Sequence, residues 1–305
     1  MKLSEASIEA IGKTFPDTCE EWVQHYPELL GGYLKRWRLT LLGAAEGGYP
    51  TNQVYFVEDN NGRPLVLKMG HPHPEQLTES IALKAYLAAG APVARLLDSE
   101  EKGYGIVLER LNPGTTLRQF IRDEDAILKA LSLHRDLPQP NCPRGLPRFD
   151  EWMEKAFAIY RASTDLDADF LAHIERAEAL FETFREQPDC MLHGDCHHEN
   201  ILLDGDRWKI IDPKGVIGPA VLEAGRFLHN FLEDEVDRPL SHKDRVKILQ
   251  RRCELSATVL PSCTEELLAI TYIDATLATC WQLTSGDPCE KGVAILVALR
   301  ELLGE

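Results

Sequence analysis

The period of the apolar positions changes twice along the chain, from helical to alternating near residue 38 and back to helical beyond about residue 110. Residues 4–12 and 17–37 read as helices, the second interrupted by Pro27 and by Gly31-Gly32. Trp22, Tyr26, Leu29, Leu30, Tyr33 and Trp37 recur at spacings that suit one buried face, so core packing is expected for all six. From Leu39 the pattern becomes that of strands: Leu39–Leu42, Gln53–Glu58 and Pro64–Met69, with Asn60-Asn61-Gly62 turning the second into the third. Pro74–Gly90 carries a proline near its start, a 3.6-period apolar face and a terminal glycine, which predicts a helix. Val93–Leu97 leads into a fourth strand, and Gly105–Glu109 reads as a buried fifth. Arg110–Leu117 follows as a linker with strong turn chemistry at Pro113-Gly114.

The remainder is largely helical. Leu117–Arg122, Ala126–Arg135, Phe149–Ser163 and Asp167–Glu186 show helical periodicity, with a proline-rich connection over Leu137–Pro147. Glu223–Glu233, Ser241–Leu255, Cys263–Leu283 and Cys289–Leu303 do so further on. Between these groups lies Cys190–Gly215, CMLHGDCHHENILLDGDRWKIIDPKG, the chemically densest stretch of the chain. Asp204-Gly205 between two apolar runs predicts a hairpin, because the turn needs positive φ. With that pair as the loop, Leu203 faces Asp206 and Asn200 faces Lys209. Asp212 then lies just past the strand end, near the loop that holds Asp195. Three oxygen-bearing side chains so placed suit a hard divalent cation together with a proton acceptor.

Two further positions fit phosphate chemistry. Lys68 is a lone cation in the apolar run Val66–Met69, where an unpaired charge is costly. A lysine on the wet face of an alternating strand is the plainer reading. The alternative is a lysine that holds the α- and β-phosphates of a nucleotide and pairs with a helix glutamate. Glu79 lies about a turn into the following helix, whereas Glu75 sits at the N-terminus, where the helix dipole explains a carboxylate. The loop Gly43–Asn52, with Gly47 and Gly48, can fold over phosphates through backbone N–H groups, although as a motif it is weak.

HGDCHHEN followed by IDPKG resembles the catalytic loop and metal segment of the aminoglycoside phosphotransferase family, and its Asp-Pro-Lys-Gly resembles the streptomycin 6-phosphotransferase and hydroxyurea kinase branch. Protein kinases carry a related H-R-D-x-x-x-x-N and D-F-G. Gly194 stands where their arginine would be and Pro213-Lys214 replaces Phe-Gly, which points away from protein substrates. The resemblance implies an α+β, bilobal protein-kinase-like fold. Residues 1–110 would form a nucleotide-binding lobe, a five-stranded antiparallel sheet with one main helix and a helical extension over 1–38. Residues 111–305 would form a mostly helical lobe bearing the catalytic hairpin and the acceptor pocket.

The same resemblance implies ATP and Mg²⁺, with Asp195 as proton acceptor and Asn200 and Asp212 as metal ligands. Lys68, paired with Glu79, would align the nucleotide, and the adenine would hydrogen-bond to backbone near Glu109 and Leu111. Lys214 could touch the transferred phosphate or the acceptor, a role no stronger than that of a surface lysine. His193 reads as a prop for the loop. Arg226 and His229, one turn apart, read as a structural pair, while Asp274 and Trp281 are guesses for the acceptor pocket.

Composition narrows the partners. The net charge of −16 repels nucleic acid and is compatible with a cationic acceptor such as an aminoglycoside. No apolar run approaches a membrane span, the first residues lack a signal-peptide pattern, and eight scattered cysteines suit a reducing cytoplasm. The expected activity is phosphoryl transfer from ATP to a hydroxyl of an aminoglycoside or hydroxyurea. The competing readings are a kinase of choline, homoserine or a sugar-like alcohol, a nucleotide-binding pseudokinase scaffold, and a zinc-binding interaction protein using Cys190, His193, Cys196, His197 and His198.

Overall fold

The computed structural model describes residues 3–45, 51–101, 104–163 and 166–305, excluding the side chains of residues 74–76. Two helices come first, α1 (Glu5–Thr14) and α2 (Cys19–Trp37). Contrary to the expected interruption, α2 runs unbroken through Pro27 and Gly31-Gly32. Trp22, Tyr26 and Leu30 are buried along its length, and that packed face outweighs the one backbone hydrogen bond the proline removes. Leu29 departs from the expected core role: it is 39% exposed.

Strands β1 (Thr40–Ala44), β2 (Asn52–Glu58) and β3 (Pro64–Gly70) follow, then α3 (Pro74–Ala89), β4 (Leu96–Ser99) and β5 (Gly105–Glu109). They form one antiparallel sheet in the order β1-β2-β3-β5-β4. Alternation along β3 decides what each face does. Leu65, Leu67 and Met69 point toward α1 and α2, in a core with Tyr26, Leu30, Tyr55 and Val57. Val66 and Lys68 point the other way, toward the large core that contains Ala82, Leu83 and Tyr86 of α3. Glu79 shares the α3 stripe with Ala82, Leu83 and Tyr86, so helical periodicity turns it to the same side.

The expected linker after β5 contains a strand. Pro113–Thr116 forms β6, the edge of a three-stranded sheet ordered β6-β8-β9 with β8 (Ile201–Asp204) and β9 (Arg207–Ile210). A proline that opens an edge strand loses no needed hydrogen bond, so turn chemistry and strand pairing coexist here. Helices α4 (Glu124–Asp136), α5 (Phe149–Arg161) and α6 (Ala168–Glu182) precede β7 (Asp189–Leu192), which pairs with β10 (Val216–Pro219). The expected helix over Glu223–Glu233 is instead a 3₁₀ turn, the short α7 (Gly225–His229) and a second 3₁₀ turn. Arg252 Nη1 donates to the carbonyls of Leu228 at 3.1 Å and Asn230 at 2.6 Å, which satisfies backbone acceptors at the end of α7. The remaining helices are α8 (His242–Ala257), α9 (Thr264–Ser285) and α10 (Glu290–Leu302). α9 is apolar on nearly every side and forms the axis around which α5, α6, α7, α8 and α10 pack.

Candidate active site

The hairpin register differs from the expected one. Asp204 pairs with Arg207 and Ile201 with Ile210, so Gly205-Asp206 is the two-residue loop. Gly205 adopts φ 63° at the first loop position, which glycine occupies without a Cβ clash. Asp204 is thereby a strand residue, and its carboxylate accepts from Lys209 Nζ at 2.9 Å. Moving the loop by one residue on each side brings Asn200 opposite Ile211, whose amide donates to Asn200 O at 2.9 Å. Asp212 is the next residue, and it takes φ 60°, a left-handed conformation uncommon outside glycine. Its carboxylate lies against Lys68.

Lys68 is only 5% exposed, so it is not on a wet face. Its ammonium donates to Glu79 Oε2 at 2.8 Å and also contacts Asp212 Oδ1. Burial works against the charge, but Asp212 and then Glu79 hold Lys68 above its usual value. Burial likewise opposes ionisation of Asp212, yet Lys68 and Lys214 hold that carboxyl below the ordinary range. Glu79 moves the other way: burial pushes it up to about 7 against the pull of Lys68.

The loop before the hairpin is fixed by backbone and imidazole hydrogen bonds. His193 Nδ1 accepts from the Asp195 amide at 3.2 Å, so its Nε2 carries the proton and donates to Ile211 O at 2.8 Å. Burial lowers its pKa to about 4, and the neutral ring ties the Asp195 turn to the Asp212 segment. The His193 carbonyl accepts from the amides of Lys214 at 2.9 Å and Gly215 at 3.2 Å, and its own amide donates to Glu223 Oε2 at 2.7 Å. Asn200 Nδ2 donates to Asp195 O at 2.9 Å, leaving its carbonyl oxygen for another partner.

Asp195 keeps about a quarter of its side chain exposed, at 26%. Arg226 Nε lies 3.4 Å from Asp195 Oδ1 and 3.2 Å from Asp274 Oδ1. Asp274 is buried on α9, and its Oδ1 also pairs with His229 Nε2 at 2.7 Å. Arg226 and His229 are therefore joined through Asp274 rather than to each other, and Arg226 reaches the loop. Trp281, a guess for the acceptor pocket, stands near by: the Arg226 guanidinium is 6.0 Å from its ring centre.

Other expected positions sort differently. Gly47 and Gly48 lie outside the described residues. The Glu109 amide donates to Arg95 O at 3.0 Å, and its carboxylate accepts from Lys209 Nζ at 2.6 Å. Leu111 is buried just beyond β5. Lys214 is half-buried, and its charge helps to lower Asp212 and opposes the rise of Glu79. Three of the five side chains of the zinc reading are engaged elsewhere: His193 as above, Cys196 in the core, and His198 stacked on Phe227 at 4.1 Å. Among the described residues no group of three or more His, Cys, Asp or Glu side chains could hold a metal ion.

Sequence reasoning missed two contributions: Glu223, a lone acid in an apolar segment, which was its available signal, and the reach of Arg226 to Asp195, which depends on α7 and α9 meeting at the loop.

Residues 36–286 match the family described as "Aminoglycoside/hydroxyurea antibiotic resistance kinase". The chain is similar to a streptomycin 6-kinase of Streptomyces glaucescens, 27% identical over 304 residues that cover 98% of this chain and 96% of that protein. It is also similar to a streptomycin 3''-kinase of Klebsiella pneumoniae, 28% identical over 207 residues, 65% of this chain and 73% of that one. Among solved structures, the choline kinase LicA of Streptococcus pneumoniae superposes with a TM-score of 0.65 at 14% identity, covering 92% of this chain and 99% of that one. Aminoglycoside phosphotransferase APH(4)-Ia, in a ternary complex with ADP and hygromycin B, gives a TM-score of 0.62 at 16% identity, covering 88% and 97%. These likenesses bear out the expected protein-kinase-like α+β fold.

Proposed function

Because the chain belongs to the aminoglycoside/hydroxyurea antibiotic resistance kinase family and is an ATP-dependent phosphotransferase, we propose that it transfers the γ-phosphoryl group of ATP to a hydroxyl of a streptomycin-type aminoglycoside. The observation that carries this reading is Lys68, a buried ammonium held between Glu79 and Asp212. A charge so costly to bury is retained where a polyanion must be received.

The division of labour follows from the geometry. Lys68 would meet the α- and β-phosphate oxygens, with Glu79 anchoring the ammonium from the α3 side at 2.8 Å. Asp212 and Asn200 would hold Mg²⁺, whose charge neutralises the oxygens of the triphosphate. The donor set fits that ion: one carboxylate and one amide carbonyl are both hard oxygens, and among the described residues no cluster of thiolates or imidazoles competes with them. Asp195 would accept the hydroxyl proton as the acceptor oxygen bonds to the γ-phosphorus and the bridging oxygen leaves with ADP. Positioning the nucleophile in line matters more there than basicity. His193 and Asn200 fix the backbone on both sides of Asp195, so the loop is set before substrates arrive.

The acceptor class draws on the streptomycin kinases and on the acidic charge of the chain. Lys214 as a phosphate contact, backbone near Glu109 and Leu111 as the adenine site, residues 1–110 and 111–305 as two lobes, and a cytoplasmic site of action belong to the same proposal. Among the described residues no helix is long and apolar enough to cross a membrane. ADP release measured across a panel of aminoglycosides, hydroxyurea and small alcohols, with Mg²⁺ or with chelator, tests it. Streptomycin-dependent, Mg²⁺-dependent ADP formation is expected. ATP turnover indifferent to every aminoglycoside contradicts it.

A further inference from the structure

Beside Asp195 stands an aromatic corner whose outer face meets solvent. Trp152 on α5 rests against the backbone just before the aspartate: a Cβ placed on Gly194 would lie 3.1 Å from Trp152 Cη2 and 2.8 Å from Val216 Cγ1. Trp281 on α9 packs edge-on against Trp152, with ring centres 5.9 Å apart at 73°. Trp281 nevertheless stays 36% exposed, whereas most large apolar side chains of α9 are sealed in the core. Arg226, which contacts Asp195 at 3.4 Å, lies 6.0 Å from the Trp281 ring centre and so links the aromatic corner to the loop.

The geometry points to Trp281, backed by Trp152, as the acceptor-facing wall of the active site, which takes a cationic amino-sugar ring against its indole face. This inference rests on the proposed function and names a contact for its acceptor. An indole face offers broad apolar contact to the C–H face of a sugar ring and its quadrupole attracts ammonium or guanidinium groups. Trp152 holds that face in place edge-on, and contact with the glycine preceding Asp195 ties the wall to the residue that would receive the hydroxyl proton. Arg226 sits between the two carboxylates Asp195 and Asp274. It leaves one net negative charge among the three groups, which tolerates a cationic acceptor and discourages an anionic one.

Steady-state kinetics on full-length wild type, Trp281→Ala and Trp281→Phe, with MgATP and streptomycin varied separately, test this. The wall predicts that Trp281→Ala raises the streptomycin KM by about tenfold or more while the MgATP KM moves less than about twofold. Trp281→Phe, which keeps an aromatic face, should recover most of that loss. The large solvent-exposed fraction of Trp281 allows both variants to fold, and an unchanged thermal midpoint checks it. A streptomycin KM unaltered in folded Trp281→Ala overturns the wall and leaves the proposed function standing. Failure of wild type to phosphorylate any aminoglycoside overturns the proposed function, and the wall with it.

Discussion

Lys68 and His134 illustrate two ways a titratable side chain is kept inside this protein. Lys68 remains charged because two carboxylates face it, Glu79 at 2.8 Å and Asp212. Replacing it with methionine removes the cation and leaves those carboxylates facing each other. Lys68→Met should therefore lower kcat/KM for MgATP by about a hundredfold or more, read from initial rates at saturating acceptor. His134 takes the opposite course. Its two ring nitrogens find no hydrogen-bond partner among the described residues, and the ring packs edge-on to Phe227 at 4.7 Å. Burial drives its pKa from the usual 6.5 down to about 3. Its folded value is depressed, so the unfolded chain binds the extra proton between those two values. Stability tied to the neutral ring is thus complete above about pH 6.5 and is lost as pH falls toward 3. His134→Leu should flatten the acid limb of a stability-against-pH curve measured by urea unfolding; an unchanged slope between pH 6 and 4 contradicts this reading (roughly the window set by the shift).

Elements fix the site through close approach as much as through charge. At Gly225, where α7 begins, a Cβ would sit 2.8 Å from Asp274 Cβ and 3.1 Å from Ile270 O on α9. Backbone carbonyl atoms cannot yield cheaply, so Gly225→Ala should destabilise the protein by about 1–3 kcal/mol in denaturant unfolding. The same displacement would loosen Arg226 from Asp274, with a loss of kcat alongside. The five strands of the first sheet, α3 and the helical character of α9 were legible because long patterned segments advertise their period, whereas β6, β7 and β10 were not, being four residues each. Lys68 and Glu79 were legible for the same reason: each is a charge interrupting an apolar pattern. The hairpin register was not, since Asp204-Gly205 and Gly205-Asp206 both satisfy the glycine requirement, and the ion pair of Asp204 with Lys209 chooses between them. Pro27 misled because a break is a local expectation, whereas the buried stripe of α2 is a property of nineteen residues together. The reach of Arg226 to Asp195 had no local signal; it depends on which helices α9 gathers around the loop.

At the scale of the whole molecule, a net charge of −16 surrounds the site proposed for a cationic acceptor. Such a field raises the encounter rate with cations and is screened by salt over a Debye length of about 10 Å at 0.1 M. The kcat/KM for streptomycin should fall several-fold between about 0.02 and 0.3 M NaCl, while that for an uncharged alcohol acceptor should change little. Salt independence for the aminoglycoside would remove the charge from the argument about acceptor class.

The most direct test of the central claim is the rate of phosphoryl transfer in a single turnover, with enzyme in excess over MgATP and streptomycin saturating. Mass spectrometry should show wild type converting the aminoglycoside to a product heavier by one phosphoryl group. Asp195→Asn, equally folded and equally able to bind MgATP, should do so slower by about 10²–10⁴-fold. Equal rates in the two proteins would contradict the assignment of Asp195 and, with it, the arrangement proposed around it.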